Sequence, residues 1–223
     1  DNLKNYLSLI SEAKAVLDIP VIASINCVTS QEWGFFAQKI EAAGADAIEL
    51  NMFITPANLS QSSHDNESIY FDVITRVTHK LKIPVSVKIR PYFSNLGGMI
   101  RDLSFSEIKG LVLFNRFYHP DIDIDHEKIV SAPVLSQPAD YTLPLRWIGM
   151  MANRVNCDLV ASTGVHNSET AIKMLLAGAK AVQVVSSLYL HGPETISAIH
   201  SGIEKWMEQH HYQAIGDFRG TLS

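Results

Sequence analysis

Six short apolar runs, spaced roughly 25 to 45 residues apart, constrain this chain more than anything else in it. They cover residues 21–25, 47–51, 85–89, 110–114, 158–161 and 181–185. Runs this short, rich in Val, Ile, Leu and Ala and bounded by turn residues, read as buried strands. Between them, apolar residues recur three and four positions apart, as at Leu3, Leu7, Ile10, Ala13 and Leu17. That spacing makes a helix with one buried face. No hairpin signal joins any two runs, so the alternation predicts parallel strands linked by helices through right-handed crossovers. Helices are expected over 3–17, 33–43, 68–81, near Ser106, and over 145–153, 167–176 and 188–209, with an N-cap signal for the second in Thr29-Ser30-Gln31-Glu32. A long loop is expected over 52–66, a turn at Gly97-Gly98 and an irregular surface excursion over 116–141.

Each run ends in polar side chains: Asn26, Asn51, Lys88, Asn115, Ser162 and Ser186 lie at or just past a strand's C-terminal end. Polar groups repeated at every strand end belong to an α/β barrel, whereas a doubly wound sheet gathers its ligands at one switch point. The expected fold is therefore α/β, a TIM (β/α)8 barrel, as a single domain over residues 1–223. Eight strands close such a barrel, so these six are expected to be the third to the eighth, with the first two upstream of Asp1. With 47% hydrophobic and 18% charged residues, the chain has ample material for a core.

Net charge is -5 and no Lys/Arg cluster stands out, which leaves nucleic-acid binding without an electrostatic footprint. No apolar run is long enough for a membrane-spanning helix. Cys27 and Cys157 lie far apart and no signal peptide is visible, so reduced thiols in a cytoplasmic protein are expected. The nine histidines show no zinc-ligand spacing, with His210-His211 expected solvated in the last helix, and no metal is expected. There is no Gly-x-Ser-x-Gly elbow and no P-loop.

Among the strand ends, Lys88 carries the strongest chemistry. An ammonium at the end of a buried strand needs a carboxylate, a developing anion or an electron-rich ring beside it. It suits Schiff-base formation, phosphate binding or stabilisation of a reduced flavin, or simply pairing with Glu49 on the neighbouring strand. Ser162-Thr163-Gly164 and Ser186-Ser187, which follow the last two runs, suit a phosphate, with hydroxyl donors and a glycine that admits close backbone approach.

Four segments together resemble the dihydroorotate dehydrogenases: 19–25 (IPVIASI), 45–51 (ADAIELN), 83–88 (IPVSVK) and 175–184 (LLAGAKAVQV). The resemblance runs in order and spacing from about Leu7 to Gly202. It implies an FMN-dependent barrel of pyrimidine synthesis with a small-molecule substrate. By matching position, Asn51 would contact flavin and substrate, Lys88 would sit against the flavin's pyrimidine edge, and Asn115 would hydrogen-bond the substrate ring. Ser136, Ser162, Thr163, Gly164 and Ser186 would hold the FMN phosphate. The family removes a proton from C5 of dihydroorotate with a Cys or Ser and passes a hydride from C6 to the flavin. The chain departs from the pattern here: without a gap the base falls on Ile54, and with one inserted residue it falls on Thr55, ahead of Pro56. Thr163, Val185 and Gln137 also stand where the family has glycine. A flavin-free lyase or isomerase using Lys88 and a catalytically inactive relative stay open as alternatives, and so does a homodimer.

Overall fold

The computed structural model describes residues 2–27, 32–116 and 119–223. The N-cap signal at Thr29 to Gln31 lies outside them. The fold is α/β, with parallel strands in each of two compact units: residues 1–112 with 154–158, and residues 113–153 with 159–223.

In the first unit, β1 (Ile22–Ile25), β2 (Ala47–Asn51) and β3 (Val85–Ile89) run parallel and in order, and the Lys109 N–H donates to the Val85 carbonyl at 2.8 Å as β4 (Gly110–Leu113) begins beside β3. Helix α1 (Asn2–Val16) precedes β1, and α2 (Glu32–Ala42), α3 (Ser63–Thr78) and α4 (Leu96–Ser104) lie between successive strands. Side chains of successive strand residues point to opposite faces. Ile48 and Leu50 of β2, with Val85, Val87 and Ile89 of β3, bury one face together with Ile40 of α2 and Val73, Ile74 and Val77 of α3. Each large apolar side chain buried this way contributes about 1.5 to 3 kcal/mol of transfer free energy. The other face carries Ser24, Glu49, Asn51, Ser86 and Lys88.

An ion pair closes the lower end of this sheet. The Lys14 ammonium lies 2.8 Å from an Asp46 carboxylate oxygen, which also accepts the Val21 N–H at 2.7 Å. The Lys14 contact and then the Val21 N–H hold the Asp46 carboxyl below the usual aspartate range. A depressed carboxyl stabilises the fold above its unfolded pKa, and that stabilisation is lost as pH falls through its folded pKa. Asp46→Asn is therefore expected to lower the urea midpoint at neutral pH, and the gap to wild type is expected to close as pH falls below the ordinary aspartate range.

In the second unit, β5 (Pro120–Asp123) and β6 (Lys128–Ser131) form an antiparallel hairpin. A single turn of 3₁₀ helix (Pro138–Tyr141) and α5 (Thr142–Met151) follow. Next, β7 (Asp158–Ala161) pairs in parallel with β8 (Ala181–Val182), with α6 (Ser168–Leu176) between them. The chain ends in α7 (Ser186–His191), α8 (Glu194–Gln209) and α9 (Ile215–Phe218). Val165, Ala171 and Ile199 form a buried cluster with Val182, Val184 and Ile203 against it.

All six expected strands are present, and six expectations need correction. The hairpin β5–β6 occupies the stretch expected to be irregular; its side chains are nearly all exposed, so no inside-outside alternation marks it. Helix α3 begins at Ser63 rather than 68, because Ser62 and Asp65 form a reciprocal capping box within a polar stretch that hides the start. Removing that cap with Ser62→Ala is expected to destabilise the protein by about 1 kcal/mol in urea unfolding. Gly97-Gly98 sits in the first turn of α4, where the Asn95 side chain accepts the Gly98 N–H at 3.0 Å, and α4 ends at Ser104, just before the position where a helix was expected. The expected helix 188–209 is two helices, broken where Gly192 takes φ +80° ahead of Pro193. The last run stops as a strand at Val182.

Candidate functional site

Each unit brings together part of the candidate set. In the first, the register aligns Ser24 with Glu49, Glu49 with Ser86, and Asn51 with Lys88. Two adjacent polar rows thus cross the sheet, Ser24–Glu49–Ser86 across β1 to β3 and Asn51–Lys88 nearer the C-terminal ends of β2 and β3. Glu49 is 5% exposed and accepts the Ser24 hydroxyl at 2.8 Å, while the Tyr6 hydroxyl of α1 donates to the Ser24 carbonyl at 2.8 Å. Burial pushes the Lys88 ammonium below the usual lysine pKa, and the Glu49 charge draws it back up. Glu49 therefore serves as a counter-charge to Lys88, the role that sequence reading weighed for it. The Met52 N–H donates to the Lys88 carbonyl at 3.0 Å, which keeps the chain extended past Asn51.

The segment after Asn51 carries the two candidate base positions. Thr55 is exposed and its carbonyl accepts the Ala57 N–H at 2.9 Å. Ile54 is half-buried and lines two cavities. One, of about 380 Å³, is also bounded by Cys27, Trp33, Met52 and Phe53. The other, of about 200 Å³, is bounded by Tyr70, Arg90, Tyr92 and Phe93. Arg90 is 4% exposed, and its charge faces the Tyr70 phenol, whose pKa burial lifts to about 12. Burial raises both Cys27 and Cys157 to about 11, so neither free thiol supplies a thiolate at neutral pH.

In the second unit, Asn115 is buried just past β4, and Ser162 is buried just past β7. Thr163 and Gly164 follow with φ of +81° and +78°, and the Thr163 hydroxyl donates to the Phe114 carbonyl at 3.2 Å. A β-branched residue in this left-handed region is strained, and such strain concentrates at functional turns. Ser136 is buried; its N–H donates to the Ser186 hydroxyl oxygen at 2.9 Å, and its own hydroxyl lies 3.0 Å from His166 Nε2. The Arg116 guanidinium secures that segment by donating to the carbonyls of Pro133 and Val134 at 3.0 and 2.7 Å and standing 3.5 Å from Asp140. Two hydroxyls, of Ser136 and Ser186, and the His166 imidazole thus come together from three loops, a set that suits a phosphate ester. Sequence reading named Ser136, Ser162, Thr163, Gly164 and Ser186 as candidates but not His166 or Arg116, which have no spacing signature.

A parallel α/β fold with polar side chains at its strand ends, the half-buried Lys88 among them, is one whose enzymes place their ligands at those ends. A family model for dihydroorotate dehydrogenase matches residues 1–207. The chain is 28% identical over 216 residues to the catalytic subunit of dihydroorotate dehydrogenase B (NAD(+)) of Pyrococcus furiosus, covering 93% of this chain and 70% of that protein. It is 25% identical to the corresponding subunit of Thermoplasma volcanium over 99% of this chain and 73% of the relative. A putative dihydroorotate dehydrogenase A (fumarate) of Aeropyrum pernix is 29% identical over 91% of this chain and 67% of its own length. The chain belongs to the dihydroorotate dehydrogenase family of oxidoreductases. Among the described residues, no helix is long and apolar enough to cross a membrane.

Proposed function

We propose that this chain is an FMN-dependent oxidoreductase that oxidises dihydroorotate, or a related cyclic amide, in cytoplasmic pyrimidine synthesis. The observation that carries the reading is the half-buried Lys88 ammonium aligned with Asn51 and balanced by Glu49, in a chain of this family. On this reading the whole chain is one barrel domain, with β1 to β4, β7 and β8 in the third to eighth strand places. When bound, FMN supplies the acceptor for the hydride leaving C6 of the substrate.

The donor set on each unit fits that cofactor. Lys88 and Asn51 present N–H donors that suit the carbonyl and nitrogen edge of a flavin ring. The Ser136, Ser162 and Ser186 hydroxyls, with the backbone of the Thr163-Gly164 turn, suit its phosphate. Asn115 and Asn51 offer carboxamides that can both donate to and accept from a cyclic amide, fixing its orientation. Lys88 keeps a positive charge where negative charge develops. The Thr55 hydroxyl takes the C5 proton in the alignment that retains Pro56.

A second reading, a family member that binds flavin without turnover, is favoured by one observation: Thr55 is exposed while Ile54 is half-buried against two cavities. Anaerobic mixing of the flavin-loaded protein with dihydroorotate separates the two. Loss of the flavin's visible absorbance, slowed by Thr55→Ala, is the expected result. A flavin that stays oxidised establishes the second reading, and a colourless protein that takes up no FMN overturns both.

A further inference from the structure

We propose that His166 is a positioning residue of the phosphate end of the second unit, aiming the Ser136 hydroxyl at a bound phosphomonoester. The inference rests on the FMN reading and deepens it.

Ser136 is 5% exposed and tied at both its polar groups, to Ser186 through the backbone N–H and to His166 Nε2 through the hydroxyl. Three loops are joined by these two bonds: the segment after β6, the turn after β7 and the chain leaving β8. A serine hydroxyl has one proton to give. If Nε2 is the unprotonated nitrogen, Ser136 spends that proton on the imidazole and turns a lone pair outward. If Nε2 carries hydrogen, it donates to Ser136 Oγ and the hydroxyl proton is directed elsewhere.

An anion at this turn selects the second arrangement, because only then does Ser136 present a donor to it. Ser186 is set the same way: its oxygen already accepts the Ser136 N–H, so its own hydroxyl proton points away from Ser136. His166 thus acts through Ser136 rather than by touching the ligand. The side chain that can replace it must offer an N–H at the Nε2 position. Glutamine does; phenylalanine keeps the ring and does not.

The test compares FMN with riboflavin, which has the same ring but no phosphate, by flavin-fluorescence titration of wild type, His166→Phe and His166→Gln. Wild type is expected to prefer FMN. His166→Phe is expected to lose about tenfold in FMN affinity with riboflavin unchanged, the size of one hydrogen bond to a charged group, and His166→Gln to stay within about threefold of wild type. Melting curves recorded without flavin check folding. If His166→Phe does not fold, Ser136→Ala must show the same selective loss of FMN binding. FMN and riboflavin affinities that move together, or that do not move, overturn the role of His166 while leaving the flavin reading standing. A wild type that binds neither flavin overturns that reading and this inference with it.

Discussion

Gly164→Ala is expected to lower the unfolding free energy by about 4 kcal/mol, read from urea denaturation without ligand. Two separate effects add. Gly164 sits at φ +78°, where an L side chain costs about 1 to 2 kcal/mol. A Cβ built there lies 2.2 Å from the Tyr141 nitrogen and 2.7 Å from its Cα, and both are backbone atoms that no rotamer change can move aside. Displacing a packed segment typically costs about 1 to 3 kcal/mol. The neighbouring Thr163→Ala is the control. Its backbone angle is equally unusual, but it already carries a Cβ, so it loses only a hydroxyl bond of 3.2 Å and is expected to change stability by about 1 kcal/mol or less. A Gly164→Ala effect no larger than about 1 to 2 kcal/mol, the cost of the angle alone, would show that the approach of residues 140–141 does not dictate glycine.

Lys88→Met is expected to slow flavin reduction by dihydroorotate at least 100-fold, the typical loss when one preorganised charge is removed from a reacting centre. FMN affinity should fall by about threefold or less, because the hydroxyls of the second unit that we assign to the phosphate are untouched. Rapid anaerobic mixing measures the first quantity and fluorescence titration the second. A Lys88 that only neutralises Glu49 predicts the opposite: a destabilised protein whose reduction rate, once folded, stays within a few-fold of wild type. Glu49→Gln separates the roles further. It removes the counter-charge, so the Lys88 ammonium loses the influence that opposes its burial, and its pKa should fall further. The pH at which flavin reduction loses its dependence on a protonated Lys88 should fall with it.

The strands were legible because their apolar runs are continuous and their ends are polar. Asn51 and Lys88 stood out for the same reason: an amide and an ammonium closing an apolar run have few structural explanations. The hairpin was hidden because Ile122, Ile129 and Val130 are exposed, and exposed residues leave no periodic trace. The start of α3 was hidden by its own cap, Ser62 and Asp65, which in a Ser- and Asn-rich stretch resembles loop. The break at Gly192-Pro193 was written in the chain, but the apolar spacing from Leu188 onward runs across it. His166 could not be found by any spacing rule. It works with a residue 30 positions earlier, and only folding makes them neighbours. The choice between Ile54 and Thr55 turns on one inserted residue in a stretch without regular structure, where no periodicity fixes the register.

In the first unit, Ile48, Leu50, Val85 and Val87 hold strands to helices, while the alternate positions Glu49, Asn51, Ser86 and Lys88 look the other way. Cohesion and reactivity therefore draw on different letters of the same strands. On the proposed function, a substitution at Asn51 changes what the strand presents to a ligand while Ile48 and Leu50 keep their packing. A lineage built on such strands is free to explore new substrates one residue at a time, without first having to reinvent its scaffold.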